Sequence, residues 1–491
     1  MTTLAAPRPA ATPDSAAGFV RACSLSELQA KGCLTPTGLG QSVVLFWHQD
    51  TPYALDNRCP HMGFPLSKGF CKDGILTCYW HYARFDLKSG GTFDPFADDV
   101  RAFPVAIRGS DVYIDLRPQQ TADEERRRWT TRLRDAIDQN ISLVQAKAIL
   151  VLLDNASAAD PAKGVLDTAA SYALEYGSRR NAGGWGDGLT ILTMLSDLQS
   201  DLAPEDRPLA LYHGTRRAAE DTGGQMQRVQ LEPLPQTDVP HAQLKRWFRE
   251  FVEVRDDEAA ERALRTAIAA RWTPAELTDL LAAAATDHYY RDFSHVMDTL
   301  NHATRLLDML GWERATDVLP ALTAQWASAS REEERNAWRH PENLAELVAE
   351  RIPGLAEALR GEAERTPELV KALGGEAVRP EPVEGPAGAS THSPLSPPRP
   401  RAAIPWEPTL VDAILGDDPT RSLDAILTAL RSGLSVSGAA QALAYASALR
   451  LTRFATSNEF GDWDTALHAF TYCASLAQVA KRAPSAELAR A

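Results

Sequence analysis

The sequence predicts an α+β multidomain protein, a small antiparallel all-β domain followed by a large all-α region. Three observations predict it. Between residues 18 and 117, short β-branched and aromatic runs alternate with Gly- and Asp-containing turns at close spacing. From residue 121 the chain becomes rich in Ala, Leu, Arg and Glu, with the apolar spacing of helices. Two segments, 1–17 and 375–407, carry neither pattern and are dominated by Pro and small residues.

Taken in order, residues 1–17 form an Ala-, Pro- and Thr-rich tip expected to be disordered. In the β domain, Ser42 to Trp47 reads SVVLFW, and Gln49-Asp50-Thr51-Pro52 turns it towards Tyr53-Ala54-Leu55. Lys72-Asp73-Gly74, Lys88-Ser89-Gly90-Gly91 and Arg108-Gly109-Ser110-Asp111 supply further hairpin turns. Thr121-Ala122-Asp123-Glu124 is a capping box that opens a helical domain over 121–374. Helices are expected near 121–154, 164–178, 188–202, 241–254, 257–270, 274–310, 313–328, 342–360 and 366–373. Eight prolines in 375–407 mark a linker, and residues 408–491 resume as a helical segment packing on the helical domain.

Composition narrows the function. The chain has 491 residues, 44% of them hydrophobic, enough for several cores, and a net charge of −14. Nucleic acid and anionic membranes both call for a basic footprint, so neither is expected as a partner. No apolar run reaches the roughly 18 residues of a membrane span. The N-terminus lacks the apolar stretch of a signal peptide and a twin-arginine start, which predicts a cytoplasmic protein. Four of the six cysteines fall between Cys33 and Cys78, a clustering that suits metal chemistry better than scattered disulfides.

The window from Asp56 reads DNRCPHMGFPLSKGFCKDGILTCYWHYARFDLKSGG. It holds C-x-H at Cys59 and His61, sixteen residues, then C-x-x-H at Cys78 and His81. Each loop offers one thiolate and one imidazole. A [2Fe–2S] centre with two Cys on one iron and two His on the other takes this set. A Cys2His2 zinc site is chemically possible, but zinc fingers keep the Cys pair and the His pair apart.

In these residues the chain resembles the Rieske family, in its ferredoxin-like and oxygenase-associated branch, over about residues 18–117. The resemblance implies a [2Fe–2S] cluster held by Cys59, His61, Cys78 and His81. The family usually has Pro after the second-loop Cys and Gly after the His, where this chain has Tyr79 and Tyr82. Respiratory members carry a disulfide between the loops, and the matching positions are Phe64 and Trp80, so that bridge cannot form. The lower-potential type is therefore expected, with Cys71 a plain buried thiol. The free imidazole edges form the expected electron exit, with a partner docking around Met62, Gly63, Tyr79 and Tyr82.

In the ring-hydroxylating relatives, D-x-x-H-x-x-x-x-H holds a mononuclear iron. Here Asp292-Phe293-Ser294-His295 begins that pattern, but the next histidine is His302, seven residues on. His288, His295 and His302 recur every seven residues, about 10 Å apart on one helix, too far for one metal. The hexapeptides Asp298-Thr299-Leu300-Asn301-His302-Ala303 and Asp464-Thr465-Ala466-Leu467-His468-Ala469 share D-T-x-x-H-A, with an eroded third copy at Trp185 to Ile191. Asp298, His302, Asp464 and His468 are thus candidates for a second, non-haem metal or substrate site. The plainer reading is that these pairs cross-link packed helices. His213 and Glu459 are weaker polar candidates.

Two function classes follow. In the first, the protein is an oxidoreductase of oxygenase type, passing electrons from a reductase or ferredoxin to a small-molecule substrate or metal site in the helical region. In the second, it is a ferredoxin-like electron carrier whose helical region is a docking scaffold for a separate enzyme. No Gly-rich nucleotide loop supplies a reductase in cis. No G-x-S-x-G elbow points to hydrolase chemistry.

Overall fold

The computed structural model describes residues 18–155, 159–179, 183–373 and 406–491. The expected tip 1–17 and the 375–405 portion of the linker lie outside the described residues. Internal contacts divide the chain into two compact units. The first comprises the described residues up to Ala169 with Pro204–Arg216; the second comprises Ala170–Ala203 and Arg217–Ala491.

In the first unit the chain forms β1 (Phe19–Ser24), α1 (Leu25–Lys31), β2 (Cys33–Leu34), β3 (Val43–His48), β4 (Thr51–Asp56), β5 (Phe70–Lys72), β6 (Ile75–Thr77), β7 (Arg84–Asp86), β8 (Ala102–Phe103), β9 (Val105–Arg108) and β10 (Asp111–Asp115). They make three antiparallel sheets, ordered β1-β10-β9, β2-β3-β4-β8 and β5-β6-β7.

Strand β3 explains the SVVLFW run. Val43 and Leu45 face one core, with Cys23, Leu28 and Ile114. Val44 and Phe46 face the other, with Leu66, Leu76 and Phe85. Successive side chains point to opposite faces, so a strand between two cores reads as continuous apolar sequence. The expected turns form where predicted. Gln49 and Asp50 join β3 to β4 with φ of 47° and 56°, and Asp73 and Gly74 join β5 to β6 with 52° and 79°. Gly90, at φ 75°, accepts no side chain, since a Cβ would lie 2.0 Å from the Val100 carbonyl oxygen.

Thr121 and Glu124 close the expected capping box. The helix expected over 121–154 is two helices, α2 (Ala122–Asp138) and α3 (Ser142–Asp154). Asn140, at φ 51°, turns the chain between them, and Ile141 N–H donates back to the Ala136 carbonyl. Asn tolerates the left-handed region, so Gln139-Asn140 ends the helix without Gly or Pro.

The remaining helices are α4 (Pro161–Tyr176), α5 (Asp187–Asp197), α6 (Arg207–Thr222), α7 (His241–Glu253), α8 (Asp257–Ala269), α9 (Pro274–Ala285), α10 (His295–Leu310), α11 (Ala315–Val318), α12 (Thr323–Ser328), α13 (Leu344–Leu373), α14 (Pro408–Ile414), α15 (Pro419–Arg431), α16 (Val436–Thr452), α17 (Phe460–Arg482) and α18 (Ala486–Arg490). Helix α6 was not expected; its many charges and Gly214 hid the apolar spacing.

The single helix expected over 274–310 is broken between α9 and α10. Tyr290, Asp292, Phe293 and Ser294 all have positive φ. The break is held by buried Arg291, which donates to the carbonyls of Ala284 at 3.0 Å and Trp326 at 2.8 Å. His288 therefore lies in the break and does not share a helix with His295 and His302. Among the described residues, no helix is long and apolar enough to cross a membrane.

Candidate metal centre

Two loops of the first unit carry the four candidate ligands. The first runs from Asn57 to Leu66 after β4, and its ends are tied by Leu66 N–H to the Asn57 carbonyl at 2.7 Å. The second joins β6 to β7. Both loops fold alike. Cys59 N–H donates to the Phe64 carbonyl at 2.8 Å and Gly63 N–H to the Cys59 carbonyl at 2.7 Å. Cys78 N–H donates to the Ala83 carbonyl at 2.9 Å and Tyr82 N–H to the Cys78 carbonyl at 3.0 Å. In each loop the residue four after the Cys is left-handed, Gly63 at φ 80° and Tyr82 at φ 58°.

This repetition brings like ligands together. Cys59 and Cys78 are both buried in the same core, and Cys78 lies close enough to act on the Cys59 thiol. The His61 and His81 rings are 4.7 Å apart, nearly perpendicular at 88°. Phe96 packs edge-on against His61 at 5.1 Å. Burial pushes the Cys59 thiol up to about 11, and neighbouring Cys78 adds to the rise. Burial, then His81 and Lys147, depress His61, which favours the neutral imidazole that ligates metal.

The residues fit an iron–sulfur group. His61 Nδ1 is buried with no hydrogen-bond partner, and a buried polar atom without one is costly unless it binds something. Two adjacent buried thiols can both ionise only beside a compensating positive charge. The donors divide into a thiolate pair and an imidazole pair, the division a Rieske [2Fe–2S] centre requires. Among the described residues no three His, Cys, Asp or Glu are grouped closely enough to hold a single ion.

Residues 18–104 match the Rieske [2Fe-2S] domain family, and this stretch is a Rieske electron-transfer domain. It is similar to the 3-phenylpropionate/cinnamic acid dioxygenase ferredoxin subunit of Shigella boydii, 38% identical over 66 residues, 13% of this chain and 62% of that protein. It is also similar to human apoptosis-inducing factor 3, 34% identical over 94 residues, 19% of this chain and 15% of that protein. The solved ferredoxin of carbazole 1,9a-dioxygenase from Nocardioides aromaticivorans aligns over 21% of this chain and 100% of its own, with 26% identity and a TM-score of 0.20. The chain thus spans less than two thirds of the two curated relatives, and these likenesses cover only its N-terminal fifth.

His81 is exposed, and so are its neighbours: Met62 is 59%, Tyr79 53%, Trp80 56% and Tyr82 63% exposed. No disulfide links the loops; all six cysteines are free. Phe64 and Trp80 pack ring to ring at 4.9 Å instead. Cys71 is half-buried, its thiol raised by burial.

Sequence motifs missed a third wall around the ligands. Lys147, on α3, donates to the carbonyls of Pro60 and His61. Arg132, on α2, pairs with buried Asp98. Lys147 lies 86 residues from His61 in sequence, beyond any local pattern.

The second candidate set lies in the second unit and does not gather. His302 Nε2 meets Asp298 Oδ1 at 3.2 Å, and His468 Nδ1 lies 3.6 Å from Asp464 Oδ1. Helices α10 and α17 pack together, but out of step with the repeat. His468 faces His295, ring centres 5.0 Å apart, while Asp298 accepts from Ser475 Oγ at 3.1 Å. His302 is seven residues beyond His295, about 10 Å along the helix, so the two Asp–His pairs do not meet. His288 bridges Glu253 and Glu333. His213 is exposed beside Tyr212, and Glu459 is the residue before α17.

Proposed function

We propose that the chain is a one-electron carrier that receives an electron from a reductase or ferredoxin and delivers it through the His81 edge to a separate redox enzyme. The bound cluster supplies reversible one-electron storage. The chain's own residues bury the thiol end, hold His61 under Phe96 and leave His81 uncovered. The observation that carries the reading is that exposed imidazole within a rim of four exposed apolar side chains. Single large apolar residues on a surface are ordinary, but four of them on the two ligand loops suit a transient partner. Similarity to a dioxygenase ferredoxin subunit supports an oxygenase as that partner.

The test replaces Trp80 or Tyr82 with Asp and measures electron transfer to an oxygenase and from a ferredoxin reductase by stopped-flow. Slower transfer with iron content and potential retained supports the reading. Unchanged rates in both variants sink it.

One observation favours a second reading, in which the second unit acts on a small-molecule substrate. A cavity of ≈190 Å3 is lined by Trp185, Asp187, Arg217, His295, Asp298 and Gln325, among others. Gln325 is 9% exposed, and its side-chain carbonyl has no partner. An unsatisfied buried acceptor facing a polar cavity suits a ligand with an N–H or O–H group. Loss of substrate turnover in Asp298→Asn with a normal cluster supports this reading, and retained turnover removes it.

A further inference from the structure

Helices α2 and α3 lie outside the matched domain, yet α3 grips its first cluster loop and α2 the segment from Pro95 to Asp98 beside it. Lys147 Nζ reaches over the loop and donates to the carbonyl of the ligand His61 at 2.6 Å and to that of Pro60. Arg132 braces the neighbouring segment, donating to Asp98 Oδ1 at 2.9 Å and to the carbonyls of Pro95 at 2.6 Å and Ala97 at 2.7 Å. That segment carries Phe96, the ring against His61.

The charges in this wall do not all cancel. Arg132 is committed to Asp98, and Arg128 pairs with Asp99 at 3.3 Å. Lys147 donates to carbonyls, and among the described residues no carboxylate lies within ion-pair distance of it. Burial pulls the Lys147 ammonium down from its usual value, and the acidic group that most opposes this is Asp98, already engaged by Arg132. A positive charge therefore sits on the backbone of a cluster ligand without a carboxylate of its own.

We propose that Lys147 is a positioning residue of the cluster centre, which fixes the His61 loop through its two carbonyls and raises the midpoint potential by its charge. Taking up one electron adds one negative charge to the centre. A nearby cation stabilises that reduced form, the more so where the surroundings are partly buried. The helical region thereby contributes to the electron-transfer site. This rests on the cluster assignment, which iron and acid-labile sulfide counts on the wild-type chain test separately.

The experiment compares the full-length chain with Lys147→Gln and Lys147→Arg by EPR-monitored redox titration, which reads only loaded molecules. Gln keeps a donor without the charge; Arg keeps both. The expected result for Gln is a reduced-to-oxidised ratio lower by on the order of tenfold at a fixed ambient potential, about 59 mV downward for one electron. Arg keeps the wild-type midpoint within a fraction of that shift. A wild-type midpoint in the Gln variant overturns the proposal. Where Gln loads no cluster, Arg decides: loading with the wild-type midpoint supports the proposal, while a lowered midpoint or a failure to load overturns it.

Discussion

The ring of Trp80 lies against that of Phe64, centroids 4.9 Å apart and tilted by 35°, and so joins the two cluster loops without a covalent bond. These are the positions at which the resemblance to respiratory Rieske proteins implies their inter-loop disulfide. The contact is at the exposed end of the centre, since Trp80 is 56% exposed.

Removing this pair should loosen the cluster without dismantling the domain. Aromatic pairs contribute about 0.5–1.5 kcal/mol beyond the area they bury. Phe64→Ala, Trp80→Ala and the double variant should show a coupling energy of that order in chemical denaturation of the loaded protein. Coupling near zero would mean that the rings are neighbours only by circumstance. Cluster loss on dilution or heating should quicken in both single variants, read from the visible absorbance.

Tyr82 occupies a backbone conformation that suits glycine, φ 58°, at the place where Gly63 stands in the other loop. A left-handed non-glycine residue costs about 1–2 kcal/mol. Glycine recovers this but costs roughly 0.5–1 kcal/mol through a freer unfolded chain. Tyr82→Gly should therefore stabilise the domain by on the order of 0.5 kcal/mol, whereas Tyr82→Ala, strained at the same φ, should not. Under the proposed function the glycine variant should also transfer electrons more slowly, because the rim loses a ring. A stabilised variant with unchanged transfer would separate the two roles and leave the docking role to the other rim residues.

His288 offers a pH test in the second unit. Its Nε2 meets Glu253 at 2.7 Å and its Nδ1 meets Glu333. Both ring nitrogens face carboxylates, an arrangement only the imidazolium can satisfy. The hydrogen bond to Glu333 chiefly raises His288, against the opposing effect of burial. A raised folded-state value means that the folded state holds the proton more tightly. The stabilisation is fully present below the unfolded value of about 6.5 and fades as pH rises through the raised folded value. His288→Gln should destabilise the protein most at pH 6 and progressively less towards pH 9. A difference in melting temperature that stays constant over that range refutes the charged pairing.

The Rieske domain and its two candidate ligand loops were legible because their motifs depend on local spacing. C-x-H and C-x-x-H each sit in one short loop, and the turns at Asp73-Gly74 and Gly109-Ser110 carry their own chemistry. The same holds for the Thr121–Glu124 capping box. What escaped was set by distant contacts. The break before α10 depends on Arg291 reaching the Trp326 carbonyl, 35 residues away, and nothing near residue 290 announces it. Lys147 looks like an ordinary surface lysine until α3 is placed over the His61 loop. The D-T-x-x-H-A copies do lie on packed helices, α10 and α17. Their alignment in sequence is not their alignment in space, because His468 meets His295 rather than His302.

Chelating the metal should open the loops and spare the sheets. Without the cluster, His61 Nδ1 is a buried polar atom with no partner, at a cost of about 1–3 kcal/mol. The loops can relieve that cost by turning the imidazole to water. Doing so sacrifices the hydrogen bonds donated by the amides of Cys59, Gly63, Cys78 and Tyr82. Those four amides should exchange with deuterium markedly faster in the apo-protein. The amides of Val43 to Phe46, in a strand buried on both faces, should keep their protection because they open only with the whole unit. Lys147 loses its hold as the Pro60 and His61 carbonyls move, so α3 should also gain exchange around residue 147. If the exchange of all four loop amides is the same in loaded and apo-protein, the loops are preformed without metal and the orphaned nitrogen costs less than supposed.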